Sequence, residues 1–564
     1  MRLFVLISLV VALQAGCAGQ PEVSQDSRDI AEAPAPLSER GEATYHLMLG
    51  EMALKRGQLE EAATQYRLAA ELDPDPQTAE KALELALMVG DQDEALLSAR
   101  RWYELSPGEI EPTRQYASLL LEAGKTSAAV KVLRELVKIS GASGEPHPEL
   151  ILLSMGLDMD DSALALKTMK KVVGKRPDSA AAMLVLSSLA LVAGEDEEAE
   201  KYAREASAAE PEWNAAAMQL ARVLVGSGRV EQGLEIARKQ VAAGSDLSSR
   251  LDFAGLLSMV GKYSEAGLML EQMLLERPGL PPALRMMGYV EYQVGRLENA
   301  RRYYARLAAS GRYMDEAYYY MALIALDEGD IDTAIEIFKL VAEGDFFLAA
   351  QFGVRDAYVK DDQPGEAMDY LDGIASAYPV HRVPMLMGQA ELQAQLENYP
   401  ETVELYRRAL ELEPDNTAVR YAMAMAMEQN GQLDQAIAQL RQILKQEPDD
   451  ATALNALGYT LADHGLELRD AYRYIRKAYK QEPDNPAVVD SMGWIEFRRG
   501  NNARAIEYLR RAYELQADPE IAAHLGEVLW MDGAKDEARE IWEQAAEAAP
   551  DHTVLKQIME RFLQ

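Results

Sequence analysis

Among the residue types that carry acid–base, nucleophilic or metal chemistry, this chain of 564 residues has six histidines, one cysteine and abundant carboxylates. The histidines, His46, His147, His381, His464, His524 and His552, are scattered, and no two have the short spacing that lets ligands share a metal on one helix face. Cys17 stands alone, so it can neither complete a thiolate zinc site nor close a disulfide within the chain. No glycine-rich phosphate loop, G-x-S-x-G elbow or H-E-x-x-H pair occurs. Adjacent acids such as Glu60-Glu61 and Glu197-Glu198 could serve general acid–base catalysis. In so acidic a chain they read as solvated helix faces. The expectation is a protein that is not an enzyme, with no metal, no cofactor and no small-molecule substrate. A repeat-built active site using the histidines is the competing reading. The net charge of -35, from 57 basic and 92 acidic residues, repels phosphate backbones and excludes nucleic acid as a partner. The charge keeps a long exposed surface soluble, or else selects basic partners.

The chemistry that does fit Cys17 is acylation. Residues 1–16 start Met1-Arg2, run apolar from Leu3 to Leu13 and end Gln14-Ala15-Gly16. That apolar stretch is too short to span a bilayer and suits a signal peptide. Small residues directly before a cysteine resemble the bacterial lipobox, in which the cysteine is lipidated and becomes the new N-terminus. Gln14 departs from it, standing where the lipobox usually has leucine, and an ordinary secretory peptide is the alternative. Residue 18 is alanine, and under the sorting rule of enteric lipoproteins the lack of aspartate there implies an outer-membrane anchor facing the periplasm. Residues 17–42 carry Pro21, Pro34 and Pro36 among polar residues and read as a disordered tether with a reach of roughly 30 Å.

The rest of the chain is governed by one rhythm. A small residue recurs every 33 to 36 positions: Ala62, Ala95, Ala129, Ala165, Ala199, Gly233, Ala266, Ala300, Ala334, Ala367, Thr402, Ala436, Ala471, Ala505 and Ala538. Glycine usually precedes it by five, as at Gly57 and Gly90; a large apolar residue often follows by four, as at Tyr66, Tyr304 and Trp542; and many repeats close in proline, as at Pro74. Fifteen repeats begin near 43, 76, 110, 146, 180, 214, 247, 281, 315, 348, 383, 417, 451, 486 and 519. This is the tetratricopeptide pattern of two helices per repeat. It implies an all-α tetratricopeptide-repeat superhelical solenoid over 43–552, and residues 553–564 form an amphipathic helix that caps it. Repeats with Asp160, Asp362 or Glu397 in the glycine position, and the stretch His464–Asp470 with an extra residue, depart from the pattern.

In tetratricopeptide superhelices the second, fifth, ninth and twelfth residues of each first helix line the concave face. That family mapping puts Tyr289, Tyr292, Tyr319, Phe352, Tyr421, Tyr459, Trp494, Phe497 and Trp530 on a partner-binding groove, led by Trp494 and Trp530. The alternative for each is packing between adjacent repeats, and in the run Tyr318-Tyr319-Tyr320 one ring belongs to the core.

The strings NALGYTLADHG (455–465), DSMGWIEFRRG (490–500), YLRRAYE (508–514) and DPEIAAHLGEVLW (518–530) resemble proteobacterial tetratricopeptide lipoproteins of the outer membrane. That group includes an adaptor of a periplasmic carboxyl-terminal processing protease. The resemblance implies an adaptor that brings this protease to peptidoglycan hydrolases. The alternative is a structural subunit of an envelope machine for polysaccharide export, pilus assembly or peptidoglycan synthesis.

Overall fold

The computed structural model describes residues 38–174, 179–242 and 246–563. Cys17, the signal-peptide segment and the tether up to residue 37 lie outside them. Among the described residues there are 31 α-helices, two short 3-10 turns and no strand. The helices form fifteen hairpins and a final single helix. First helices start at Glu39, Pro76 and Ile110 in the first three hairpins and at Ala451, Pro486 and Pro519 in the last three. Two starts differ from the repeat rhythm by more than a turn: the fourth, at Ile151, and the first, where the helix begins at its Ser38 cap, whose side chain accepts from the Gly41 amide.

Local chemistry sets each hairpin. Asp75, Asn485 and Asp518 each cap a first helix by accepting backbone amides through the side chain, and each is followed by proline in the first turn, where an amide hydrogen has no helical partner to lose. Between the two helices the chain must reverse, and Gly57 does so at φ +72°, a left-handed conformation that costs glycine nothing. Asp362 and Glu397 occupy the equivalent turns at φ +58° and +57°. The missing glycine therefore leaves the turn unchanged and adds strain. The fourth hairpin is different: Asp160 does not turn left-handed, and its first helix shrinks to Ile151–Leu157 behind the 3-10 turn Pro148–Leu150.

The small-residue row is the seam of each hairpin. Its thirteen alanines and Thr402 are all 0–1% exposed. Thr402 is tolerated because its hydroxyl donates to the Asn398 carbonyl at 3.0 Å, so nothing polar is stranded. At Gly233 a Cβ would sit 2.6 Å from the Ala221 carbonyl oxygen, so only glycine fits. Gly50 has a different task from close backbone approach. A Cβ there would lie 2.8 Å from the Tyr66 ring, and Gly288 and Gly526 likewise make room for Tyr304 and Trp542.

Chain packing divides the molecule into two compact units, 1–256 and 257–564, with the boundary inside the helix Leu247–Met259. The core of the first unit includes Leu133, Leu136, Leu152 and Leu189, and His147 stacks on Trp213 at 4.0 Å. The second unit is richer in buried aromatics, Tyr304, Phe338 and Trp542 among them. At its end the helix Thr553–Phe562 turns Leu555, Ile558, Met559 and Phe562 onto the preceding hairpin. Val554, at the start of that helix, is 39% exposed.

Candidate partner-binding face

The nine aromatics named from the repeat register all lie on first helices of the second unit. None is fully exposed: eight are half-buried and Trp494 is buried at 5%. They divide into two groups with different surroundings.

In the helices Pro281–Gln293 and Met314–Asp327, Tyr320 is the hub. Its ring stacks on Tyr304 at 4.9 Å and meets Tyr289, Tyr292 and Tyr319 edge-on at 5.5 to 6.3 Å. The arrangement suits the ring quadrupoles. The Tyr292 hydroxyl donates to Asp327 at 2.9 Å, and burial together with that carboxylate pushes its pKa up to about 12. The Tyr292 hydroxyl is thereby kept neutral as a donor. Tyr318, Tyr319 and Tyr320 are all half-buried, so no single ring of the run is the core residue. Phe352, expected in a groove, fills a structural gap instead. A Cβ on Gly388 of the next first helix would touch its ring at 2.6 Å, and the Arg355 guanidinium covers it at 5.0 Å. Tyr421 is half-buried against the C-terminal core.

The second group lies on the helices Ala451–Asp463, Pro486–Arg498 and Pro519–Asp532. Trp494 is a core residue here rather than an open anchor. Its indole stacks on His524 at 4.4 Å and donates to Asp463 at 3.1 Å. Trp530 packs on Trp542 and Phe562 at 5.8 and 5.9 Å, so the terminal helix closes over one side of it. Lys535 sits 4.8 Å over the Trp530 ring. Phe497 leans on Trp494 at 5.3 Å and remains half-buried.

What the register did not single out is the polar centre beneath these rings. His524 and Asp490 are 5% and 6% exposed, and His524 Nδ1 lies 2.9 Å from the Asp490 carboxylate. On its other side His524 Nε2 is 3.3 Å from the Tyr459 hydroxyl. The two acidic and basic partners are 34 positions apart, one repeat period, and that spacing was the signal available in the sequence. Burial opposes the charged imidazole, but the Asp490 carboxylate outweighs it, and His524 titrates above its ordinary value. Glu527, on the same helix, is raised by burial, and Arg561 reaches it at 3.6 Å.

Tyr459, His524 and Asp490 are ordered like a nucleophile, base and orienting acid. Their titrations run the wrong way for that task. A hydroxyl that burial holds protonated is a poor nucleophile, and the Asp490 carboxylate that favours the charged imidazole works against His524 taking its proton. The arrangement instead ties three successive first helices to each other. Among the described residues no group of three or more histidines and carboxylates is placed to hold a metal, and no helix is long and apolar enough to cross a membrane.

Similarity to known proteins gives the same architecture. Tetratricopeptide-repeat patterns match residues 37–79, 157–212, 285–346, 393–458 and 491–553, together just over half of the chain. A TPR repeat-containing protein of Pseudomonas aeruginosa is 28% identical over 512 residues, covering 90% of this chain and 86% of its own. Among solved structures, the APC/C hetero-tetramer Cut9-Hcn1 aligns over 93% of this chain and 96% of its own at 15% identity and a TM-score of 0.34. A tetratricopeptide repeat protein from Parabacteroides merdae aligns over 44% of this chain and 99% of its own at 15% identity and a TM-score of 0.37. With fifteen helix hairpins, the buried small-residue seam and the repeat patterns matched over half of its length, the chain belongs to the tetratricopeptide-repeat family.

Proposed function

We propose that this protein is a lipid-anchored scaffold on the periplasmic side of the outer membrane that brings a carboxyl-terminal processing protease together with cell-wall hydrolases. The observation that carries the scaffold part is the repeat array itself, with half-buried aromatics on seven first helices of its second unit. Half-buried aromatic rings offer large contact area at small entropic cost. The finer reading draws on the small residues before Cys17 and on the strings between 455 and 530. The physical role is effective concentration: two proteins held on one repeat array meet as if intramolecular, and an anchor at Cys17 confines that meeting to the membrane. The chain's -35 charge also speeds capture of basic cell-wall enzymes.

The test is reconstitution of the processing protease and a hydrolase with and without the lipidated full chain. At limiting protein concentrations the full chain should raise the degradation rate by about a hundredfold or more. Equal rates would discard the adaptor role. Stable co-purification with export, pilus or synthase subunits and no protease would make the chain a structural part of such a machine.

A further inference from the structure

Against a net charge of -35, a local excess of cations stands out. The helix Leu468–Gln481, a second helix, carries Arg469, Arg473, Arg476, Lys477 and Lys480 against a single acid, Asp470. Arg469, Arg473, Arg476 and Lys480 follow at intervals of four, three and four, so they form one exposed stripe. Arg473 pairs with Asp470 at 2.9 Å. Among the described residues, Arg469, Arg476 and Lys480 have no carboxylate within 4.0 Å.

Beside the stripe, a cavity of about 470 Å³ opens between this helix and the helix Leu433–Gln446 of the preceding hairpin. Leu444, Leu454 and Tyr474 make its apolar lining. Arg441 and Lys445 stand on one rim, Arg473 and Lys477 on the other. Arg441 contacts Glu467 at 2.7 Å and Lys477 contacts Asp449 at 2.6 Å, while Lys445 has no carboxylate in reach. Ion pairs this exposed contribute little and exchange readily for an incoming carboxylate.

We propose that this groove and stripe dock an acidic segment of a partner protein. An apolar side chain of the segment sits on Leu444, Leu454 and Tyr474, and carboxylates on either side of it meet Lys445, Arg473 and Arg476. Charge complementarity selects the sign of the partner, and the concavity selects its shape. A bilayer surface is flat, and a helix that lies in one exposes apolar residues beside its cations. Here Ala471, Ile475 and Ala478 are buried in the hairpin instead. Its cations lie on second helices, and of the first helices it uses only Leu454, so it does not depend on the first-helix aromatics or on the protease reading.

The probe is a fluorescein-labelled peptide of repeated Glu-Glu-Leu, titrated into the full chain and followed by anisotropy. Binding should weaken with salt, and the double variant Arg473→Glu, Arg476→Glu should bind about tenfold more weakly or worse. A Glu-Glu-Ser peptide should lose a similar factor if the apolar lining is used. Both substitutions are on the exposed face, and unchanged circular dichroism and Tm confirm that the variant folds. No binding, or equal binding by the double variant, overturns the proposal. So does a result in which the two arginines govern only flotation with phosphatidylglycerol vesicles, or only self-association in sedimentation, and leave peptide affinity unchanged.

Discussion

His524 is enclosed with Asp490 2.9 Å away, and Asp463 and Glu520 add to the field that favours its charged form. Its folded pKa is above the unfolded value of about 6.5, so the pair's stabilisation is fully present below that pH and is lost as pH rises through the folded value. His524→Leu strands the Asp490 carboxylate in the core and should cost about 3 kcal/mol near pH 6. The gap between the natural chain and the variant should narrow as pH rises through the folded pKa of His524, where the natural chain loses its own imidazolium. Guanidinium denaturation on either side of that pKa measures it. A gap that stays constant or widens would show that the imidazole is not charged in the folded chain. The same geometry explains why Trp494 could not be placed from the sequence. Its position in the repeat allows either face, and stacking on His524 thirty positions later decides the matter.

A helix hairpin is defined by its turn, and the two left-handed turns that lack glycine test how much that turn is worth. Asp362 and Glu397 hold left-handed φ values of +58° and +57°, as do the glycines of regular repeats. A side chain in that conformation costs roughly 1–2 kcal/mol because its Cβ crowds the following carbonyl. Asp362→Gly and Glu397→Gly should therefore each stabilise the chain by about 1 kcal/mol, offset in part by the freedom glycine gains when unfolded. A rise in the denaturation midpoint checks this, and no rise would mean that local hydrogen bonding already relieves the strain. Most of each hairpin was legible in advance because the same few demands recur: a cap, a reversal, a seam. The fourth hairpin was not, since its short first helix follows from Pro148 and from the loss of the left-handed turn at Asp160.

In a repeat array each hairpin is stabilised by its neighbours, so the last one depends on its cover. Phe562 lies 5.7 Å from Trp542 and 5.9 Å from Trp530, and Leu555 is buried beside them. Phe562→Asp would place a charge against two indoles. The expected outcome is faster amide exchange across 502–552, with residues 38–242 unchanged, and a red-shifted tryptophan emission. Uniform loss of protection along the whole chain would instead mean that the repeats unfold as one cooperative body.

The sequence by itself determined the repeat length, the helix pairs, the seam residues and the terminal cap, because each is enforced by contacts within a hairpin or with the next one. It also determined the absence of any familiar catalytic or metal motif. Only the tertiary structure decided which aromatics are enclosed, that Asp490 and His524 pair across adjacent first helices, and that cations of two second helices share a groove. Those outcomes depend on which side chains face each other across hairpins. Backbone periodicity fixes where such residues stand, and the chemistry of the neighbour fixes what they become.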